Sequence, residues 1–314
     1  MKAARITTYG DAEVVKVVET EVPTLTENKV LVEVHAASLN PFDAKLRSGA
    51  FEQGIPLTFP ATLGGDIAGI VTEVGTGVTT LQPGDKVYGQ ANIVAGNSGA
   101  FAEYAATDAD QVALMPENLE FPEAAALPLT GVSALQVITG HLKLQAEQKI
   151  LIHGGAGGIG TIAIQLAKHL GAYVATTATG DGLDHVKALG ADVVIDYTSQ
   201  NFSEELQGYD AVFDTVGGAT YADSFKVLAP GGVIVSMVMP PDAELMAQYN
   251  VTAILQQTKV TTEALTELAG LVDQGVIRIH IDSTFDLEAI VQAFQTLESG
   301  KAKGKVVVTM PSQG

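Results

Sequence analysis

Ile150-Leu-Ile-His-Gly-Gly-Ala-Gly-Gly-Ile-Gly-Thr161 is the stretch that decides the fold. It reads as an apolar strand, a glycine-dense turn and the start of a helix. Gly155, Gly157 and Gly160 stand at the G-x-G-x-x-G spacing. One glycine of that pattern makes a tight turn, one lets backbone approach a pyrophosphate, and one lets the helix pack on the strand. Gly158 and Ile159 open the helix, where free N–H groups and the helix dipole favour an anion. The plain alternative is a turn used only for helix–sheet packing. Gly160 is followed by Thr161 rather than Lys-Ser or Lys-Thr, which excludes a P-loop.

The surroundings agree with the motif. Candidate strands fall at residues 150–153, 173–177, 193–196, 211–214 and 233–238, with crossover helices at 159–170 and 182–189. Strand and helix alternating at this spacing predict a doubly wound parallel sheet covered on both faces. Upstream, Val30-Leu-Val-Glu-Val-His35 and Ile67-Ala-Gly-Ile-Val-Thr-Glu-Val74 read as half-buried strands, and Pro83-Gly-Asp85 as a turn into another. Short strands between Gly and Pro predict a small barrel or sandwich. Pro122-Glu-Ala-Ala-Ala-Leu127 starts a helix, and residues 130–142 continue as a helix-compatible stretch. In the tail, residues 263–272 and 285–298 read as helices and Lys305-Val-Val-Val-Thr309 as a final strand that returns to the first domain. The expected domains are therefore 1–121 with 264–314, and 122–263.

Composition narrows the chemistry. A chain of 314 residues exceeds what one core usually organises. A net charge of −19 argues against nucleic acid and anionic membrane surfaces, since both need clustered Lys and Arg. The absence of cysteine excludes disulfides, thiolate catalysis and sulfur-ligated metals. No apolar signal core opens the sequence and no apolar run is long enough to span a bilayer, so the cytoplasm is the expected location.

A site for NAD usually places Asp or Glu about 20 residues after the turn, on the ribose 2′-OH. Here that region is Val174-Ala-Thr-Thr-Ala-Thr179, with no acid before Asp181. Thr177 and Thr179 offer hydroxyls instead, which favours NADP; the same threonines also suit a β-rich strand end. No arginine stands in this window to grip a 2′-phosphate.

The chain resembles the medium-chain dehydrogenase/reductase superfamily, in its zinc-independent quinone oxidoreductase branch. The resemblance spans essentially the whole sequence. It is carried by Asn40-Pro-Phe-Asp43, Arg47-Ser-Gly49, Leu63-Gly-Gly-Asp-Ile-Ala-Gly69, Gly84-Asp-Lys-Val87, Leu127-Pro-Leu-Thr-Gly131, the glycine turn, Leu189-Gly-Ala-Asp192, Asp214-Thr-Val-Gly217 and Gly304-Lys-Val-Val307. It implies an α/β protein with a GroES-like β-rich catalytic domain and a Rossmann domain. Zinc members carry an early Cys and a Gly-His-Glu; here those places hold Asn40-Pro-Phe-Asp43 and Gly64-Gly65-Asp66. The six histidines form no ligand pattern, so no metal is expected.

The resemblance implies that Asn40 lies beside the nicotinamide, Thr130 on its ribose side, and Tyr197 by the adenosine phosphate. The residue-level alternatives are a turn before Pro41, a helix N-cap and strand-end packing. Two places depart from the branch: Lys45 replaces a frequent Tyr, and Gly180-Asp-Gly182 replaces a segment that often holds a Lys. Lys45 is either an orienting cation or a solvated surface residue. The expected activity is hydride transfer from NADPH to a quinone or α,β-unsaturated carbonyl, with the developing oxyanion met by Asn40 or Lys45. The expected assembly is a homodimer. The other class open to this sequence is a non-catalytic NADPH-binding sensor or partner-binding protein.

Overall fold

The computed structural model describes residues 1–311. The chain divides into two compact units. The first holds Met1–Leu129, Val260–Gln274 and the tail from Ile279; the second holds Thr130–Lys259 and Gly275–Arg278.

The first unit begins with strands β1 (Lys2–Ile6), β2 (Lys16–Glu19) and β3 (Lys29–Leu39), helix α1 (Pro41–Ser48), and strands β4 (Ala61–Thr62), β5 (Asp66–Val74), β6 (Lys86–Gln90), β7 (Tyr104–Asp108) and β8 (Val112–Leu114). Helix α2 (Phe121–Ala125) closes this run and α3 (Pro128–Leu135) follows. The second unit continues with β9 (Lys149–Ile152), α4 (Gly158–His169), β10 (Tyr173–Ala178), α5 (Gly182–Ala188), β11 (Val193–Asp196), α6 (Phe202–Glu205), β12 (Tyr209–Asp214), α7 (Ala219–Ser224), β13 (Leu228–Ser236), α8 (Ala243–Tyr249) and β14 (Thr252–Leu255). The chain then returns to the first unit with α9 (Thr262–Asp273), β15 (Ile281–Asp286), α10 (Ile290–Glu298) and β16 (Lys305–Thr309).

In the first unit β3 is the hub. It pairs antiparallel with β5, β7 and the returning β16. Val30, Val32 and Val34 feed the core between the sheets, with Phe101, Phe294, Val306 and Val308 packed in the same cluster. Register sets the site. Val306 faces Leu39, so the next residue back, Lys305, arrives beside Asn40. Ser38 faces Asp66 across the other edge of β3. Gly304 makes the approach of β16 possible. Its φ is +74°, and a Cβ there would stand 2.1 Å from the His280 carbonyl oxygen.

In the second unit six parallel strands run in the order β11-β10-β9-β12-β13-β14. This is the doubly wound order of dinucleotide-binding folds, and the order reverses between β9 and β12. The strands are apolar because helices cover both faces. Ile150, Leu151 and Ile152 of β9 are fully buried.

Three of the differences from the sequence expectation have a local physical cause. Residues 285–286 belong to β15, captured by parallel pairing with β16, and α10 starts only at Ile290 after a 3₁₀ turn at Leu287–Ala289. The helical spacing of Ile290, Ala293 and Phe294 is the part that packs. The stretch 130–142 changes helix type. After α3 it becomes a π-helix at Gln136–His141, where the Thr139 hydroxyl donates back to the Leu135 carbonyl at 2.7 Å. Strand β14 was not expected, because four residues after a left-handed Asn250 give too short a pattern to read.

Candidate active site

The glycine turn sits after β9, where the strand order reverses. Its geometry fits a pyrophosphate. A Cβ on Gly160 would lie 2.3 Å from the Gly154 carbonyl oxygen and 2.6 Å from the Gly155 Cα. A Cβ on Gly155 would lie 2.0 Å from the Thr176 hydroxyl of β10. Turn and helix therefore touch backbone to backbone, and the turn rests against the Thr176 side chain of the strand. Gly157 caps α4 in extended conformation, so Gly158, Ile159 and Gly160 are its first three residues. Their N–H groups have no partner within the helix and point outward with the positive end of its dipole.

The turn is braced from beneath. The Gly154 N–H donates to the Thr177 hydroxyl at 3.1 Å, and the Gly155 N–H to the Thr177 carbonyl at 3.0 Å. Thr177 Oγ1 lies 3.2 Å from His153 Nδ1, and His153 Nε2 lies 2.9 Å from Ser224 Oγ. Ser224 spends its one proton on the Thr220 carbonyl at 2.7 Å. His153 must then donate through Nε2 and accept from Thr177 through Nδ1, as a neutral ring. Burial pushes the His153 pKa down to about 4, although the nearby Asp214 charge acts the other way. Thr177 is thus 4% exposed and committed to the turn.

Beyond β12, the Asp214 carboxylate accepts the N–H groups of Val216 and Gly217 at 3.0 and 2.9 Å and the Ser236 hydroxyl at 2.7 Å. That turn holds Val216 outward, and Val238 is likewise exposed past the end of β13. Two bare apolar side chains at carboxyl ends of central strands offer a surface for a flat ring.

Thr179 and Tyr197 meet at the adjoining end of β10 and β11. Ala178 is in register with Asp196, and the Tyr197 N–H donates to the Ala178 carbonyl at 3.3 Å. Tyr197 is 58% exposed, so strand-end packing does not account for it. Asp196 accepts the Thr198 hydroxyl at 2.7 Å and its N–H at 3.1 Å. These bonds, led by the hydroxyl and joined by one from Thr179, hold the Asp196 carboxyl below the usual carboxylate range. Reading β10 alone missed this acid, because it arrives from the neighbouring parallel strand.

The first unit carries a second constellation. Asn40 is the N-cap residue of α1, with Pro41 in the first turn and the Asp43 carboxylate accepting the Asn40 N–H at 2.8 Å. Arg47, from the same helix, donates to the Gly10 carbonyl at 2.9 Å and pairs with Glu298, which anchors α1. Asn40 Nδ2 donates to Asp66 Oδ2 at 2.8 Å. Asp66 also accepts from Gln90 Nε2 at 3.0 Å, the Leu129 N–H at 3.2 Å and the Ser38 hydroxyl at 3.3 Å. Lys305 Nζ donates to Asn40 Oδ1 at 2.5 Å and to the Leu39 carbonyl at 3.0 Å, and stands 3.6 Å from Asp66 Oδ2. Asn40, Asp43, Asp66 and Lys305 are all buried. Burial pulls the Lys305 pKa down against the pull of both carboxylates. Burial raises Asp43 to about 7, with the Asn40 N–H acting against it and the Asp66 charge adding to it.

Lys45 is not part of this buried network. It is exposed on α1, its ammonium 5.8 Å from the Phe51 ring centre, and it lines a shallow cleft of about 250 Å³ with Pro41, Ala44, Ser48, Leu297 and Glu298. The lysine that reaches Asn40 is Lys305. Its one sequence signal was a single charge heading an apolar strand. Thr130 is buried inside the first turn of α3, not at its N-cap. Among the described residues, no three His, Cys, Asp or Glu side chains gather as metal ligands would.

The alcohol dehydrogenase GroES-like domain family matches residues 26–117, and the zinc-binding dehydrogenase family matches residues 189–308. A 2-methylene-furan-3-one reductase of Solanum lycopersicum is 38% identical over 98% of this chain and 79% of its own length. The chain belongs to the medium-chain dehydrogenase/reductase superfamily, in its zinc-independent quinone oxidoreductase-like branch. An NADPH-dependent alkenal/one oxidoreductase of Arabidopsis thaliana is 36% identical over the same shares of both chains. Two solved structures extend the likeness within the superfamily. The quinone oxidoreductase of Coxiella burnetii superposes with a TM-score of 0.92 at 35% identity, covering 99% of both chains. The Escherichia coli quinone oxidoreductase complexed with NADPH gives 0.90 at 28% identity, covering 98% of this chain and 100% of that one. The GroES-like unit and the Rossmann-like parallel sheet are those of this superfamily, and the chain is an oxidoreductase. No described helix is long and apolar enough to cross a membrane.

Proposed function

We propose that this chain is an NADPH-dependent reductase that passes hydride to a quinone or an α,β-unsaturated carbonyl without zinc. The observation that carries the reading is the Asn40–Asp66–Lys305 network, an acyl-amide donor held between buried charges where metal-using relatives keep ligands. The bound NADPH supplies the hydride and leaves as NADP⁺. The N–H groups of Gly158, Ile159 and Gly160 hold its pyrophosphate, with Gly155 and Gly157 admitting the backbone approach. Thr130 serves its ribose, and Thr179 and Tyr197 serve its adenosine end. Thr177 acts through the turn.

In an enone the hydride reaches the β-carbon, the electron pair moves to oxygen, and a proton from water completes the saturated carbonyl. In a quinone the same two electrons and two protons give the hydroquinone. Asn40 donates to the oxygen that gains charge. Hydride transfer onto an already activated acceptor needs no Lewis acid, whereas oxidising a simple alcohol does. The remaining parts of the reading are a homodimer and a cytoplasmic location. NADPH consumption with 1,2-naphthoquinone and a panel of enones tests the activity. Binding of NADPH with no turnover on any acceptor would overturn it and transfer the chain to the sensor class.

A further inference from the structure

We propose that Lys305 is the positioning residue that makes Asn40 an oxyanion donor. The proposal rests on the reductase reading above. A fully buried lysine is rare, because its ammonium must be stripped of water and repaired by partners. Here the fold goes to lengths to bring it in. Gly304, which no side chain could replace without striking the His280 carbonyl, lets β16 close on β3, and the Val306–Leu39 register delivers the ammonium to Asn40.

An ammonium has three protons and no acceptor, and a side-chain amide has one oxygen and two N–H groups. Lys305 spends two protons on Asn40 Oδ1 and the Leu39 carbonyl, and turns the third side toward Asp66. Asn40 Oδ1 therefore cannot exchange places with Nδ2. A flipped amide would set N–H against ammonium and oxygen against the Asp66 carboxylate. With Nδ2 locked, one N–H goes to Asp66, and the second has a fixed direction and no bond to a side chain or backbone group among the described residues.

Charge makes the second argument. Asp66 lies 2.8 Å behind the donating nitrogen. Four donors converge on its two oxygens. A substrate oxygen gaining negative charge at Asn40 would face that carboxylate at short range in a medium of low dielectric. Lys305 cancels it. The cation thus fixes the amide and removes the opposing charge, and the second effect grows in the transition state.

Lys305→Met keeps the length of the stem and deletes the charge. We expect kcat for 1,2-naphthoquinone to fall about a hundredfold, the scale of a lost oxyanion donor, while the KM for NADPH stays within about twofold. The chain has no cysteine, so Lys305→Cys offers a single alkylation site. Reaction with 2-bromoethylammonium in denaturant, then refolding, rebuilds the cation and should restore kcat; iodoacetamide, which adds a neutral group, should not. An independent readout needs no substrate. The Asn40 side-chain ¹H–¹⁵N pair, assigned by its loss in Asn40→Asp, should be a single set in the wild type and double or broaden in Lys305→Met. Unchanged kcat in Lys305→Met, rescue by the neutral adduct, or an undisturbed Asn40 pair would each overturn the proposal. Wild-type turnover measured alongside separates this failure from failure of the reductase reading, which would show as no turnover at all with a single Asn40 pair intact.

Discussion

Thr177 Oγ1 stands 3.1 Å from the Gly154 N–H, beneath the glycine turn. The hydroxyl also closes the chain that runs through His153 to Ser224. Thr177→Val preserves shape and leaves a half-buried N–H without its acceptor. The expected cost is about 1–3 kcal/mol. The melting temperature should drop by several degrees and NADPH should bind more weakly. Thermal unfolding and a fluorescence titration with NADPH measure the two effects.

Gly160→Ala tests the turn more severely. Its Cβ would press on backbone atoms at 2.3 and 2.6 Å, and backbone cannot rotate aside. The start of α4 must move, and NADPH affinity should fall at least tenfold, about 1.4 kcal/mol. Unimpaired binding would show that α4 does not hold the pyrophosphate.

On the proposed reading, acids stand where the 2′-phosphate of NADPH would dock. Asp181 is exposed beside Thr179, and no Lys or Arg stands between Thr177 and Val186. Asp181→Lys should tighten NADPH about fivefold and leave NADH nearly unchanged, the scale of one exposed charge interaction. Salt should erase the gain. Equal effects on both cofactors would remove the 2′-phosphate from this corner.

Asp43 gives a pH signature. Its carboxyl is held up to about 7 by burial, so the folded protein keeps a proton that an unfolded chain releases near pH 4, roughly. The raised value means that this contribution to stability is full below the unfolded pKa and is lost as pH rises through about 7. Asp66 and Lys305 face the same group, the first raising its pKa and the second lowering it. Asp43→Asn keeps an acceptor for the Asn40 N–H. It should flatten the fall in melting temperature between about pH 5 and about pH 8.

Much of this molecule could be read in its sequence, and the reason is local. The glycine turn is contiguous, so Gly155, Gly157 and Gly160 marked its place between strand and helix, and the apolar strands around it follow a short period. The tail strand Lys305–Thr309 was legible for the same reason. What stayed hidden depends on register. Lys305 reaches Asn40 across 265 residues, and Asp196 reaches Thr179 only because β11 lies beside β10. Lys45 drew attention because it stands where the branch often has a Tyr, and α1 leaves it exposed to solvent. Phe285 joined a strand because β16 was there to pair with it. Periodicity names elements; it does not say which residues from distant elements share a buried corner.

The most direct test of the account is NADPH oxidation by protein stripped of metal with a chelator, with 1,2-naphthoquinone and enones as acceptors. The account predicts full turnover of at least one acceptor, unchanged when zinc is added back. Turnover that appears only with zinc, or none on any acceptor, would contradict it.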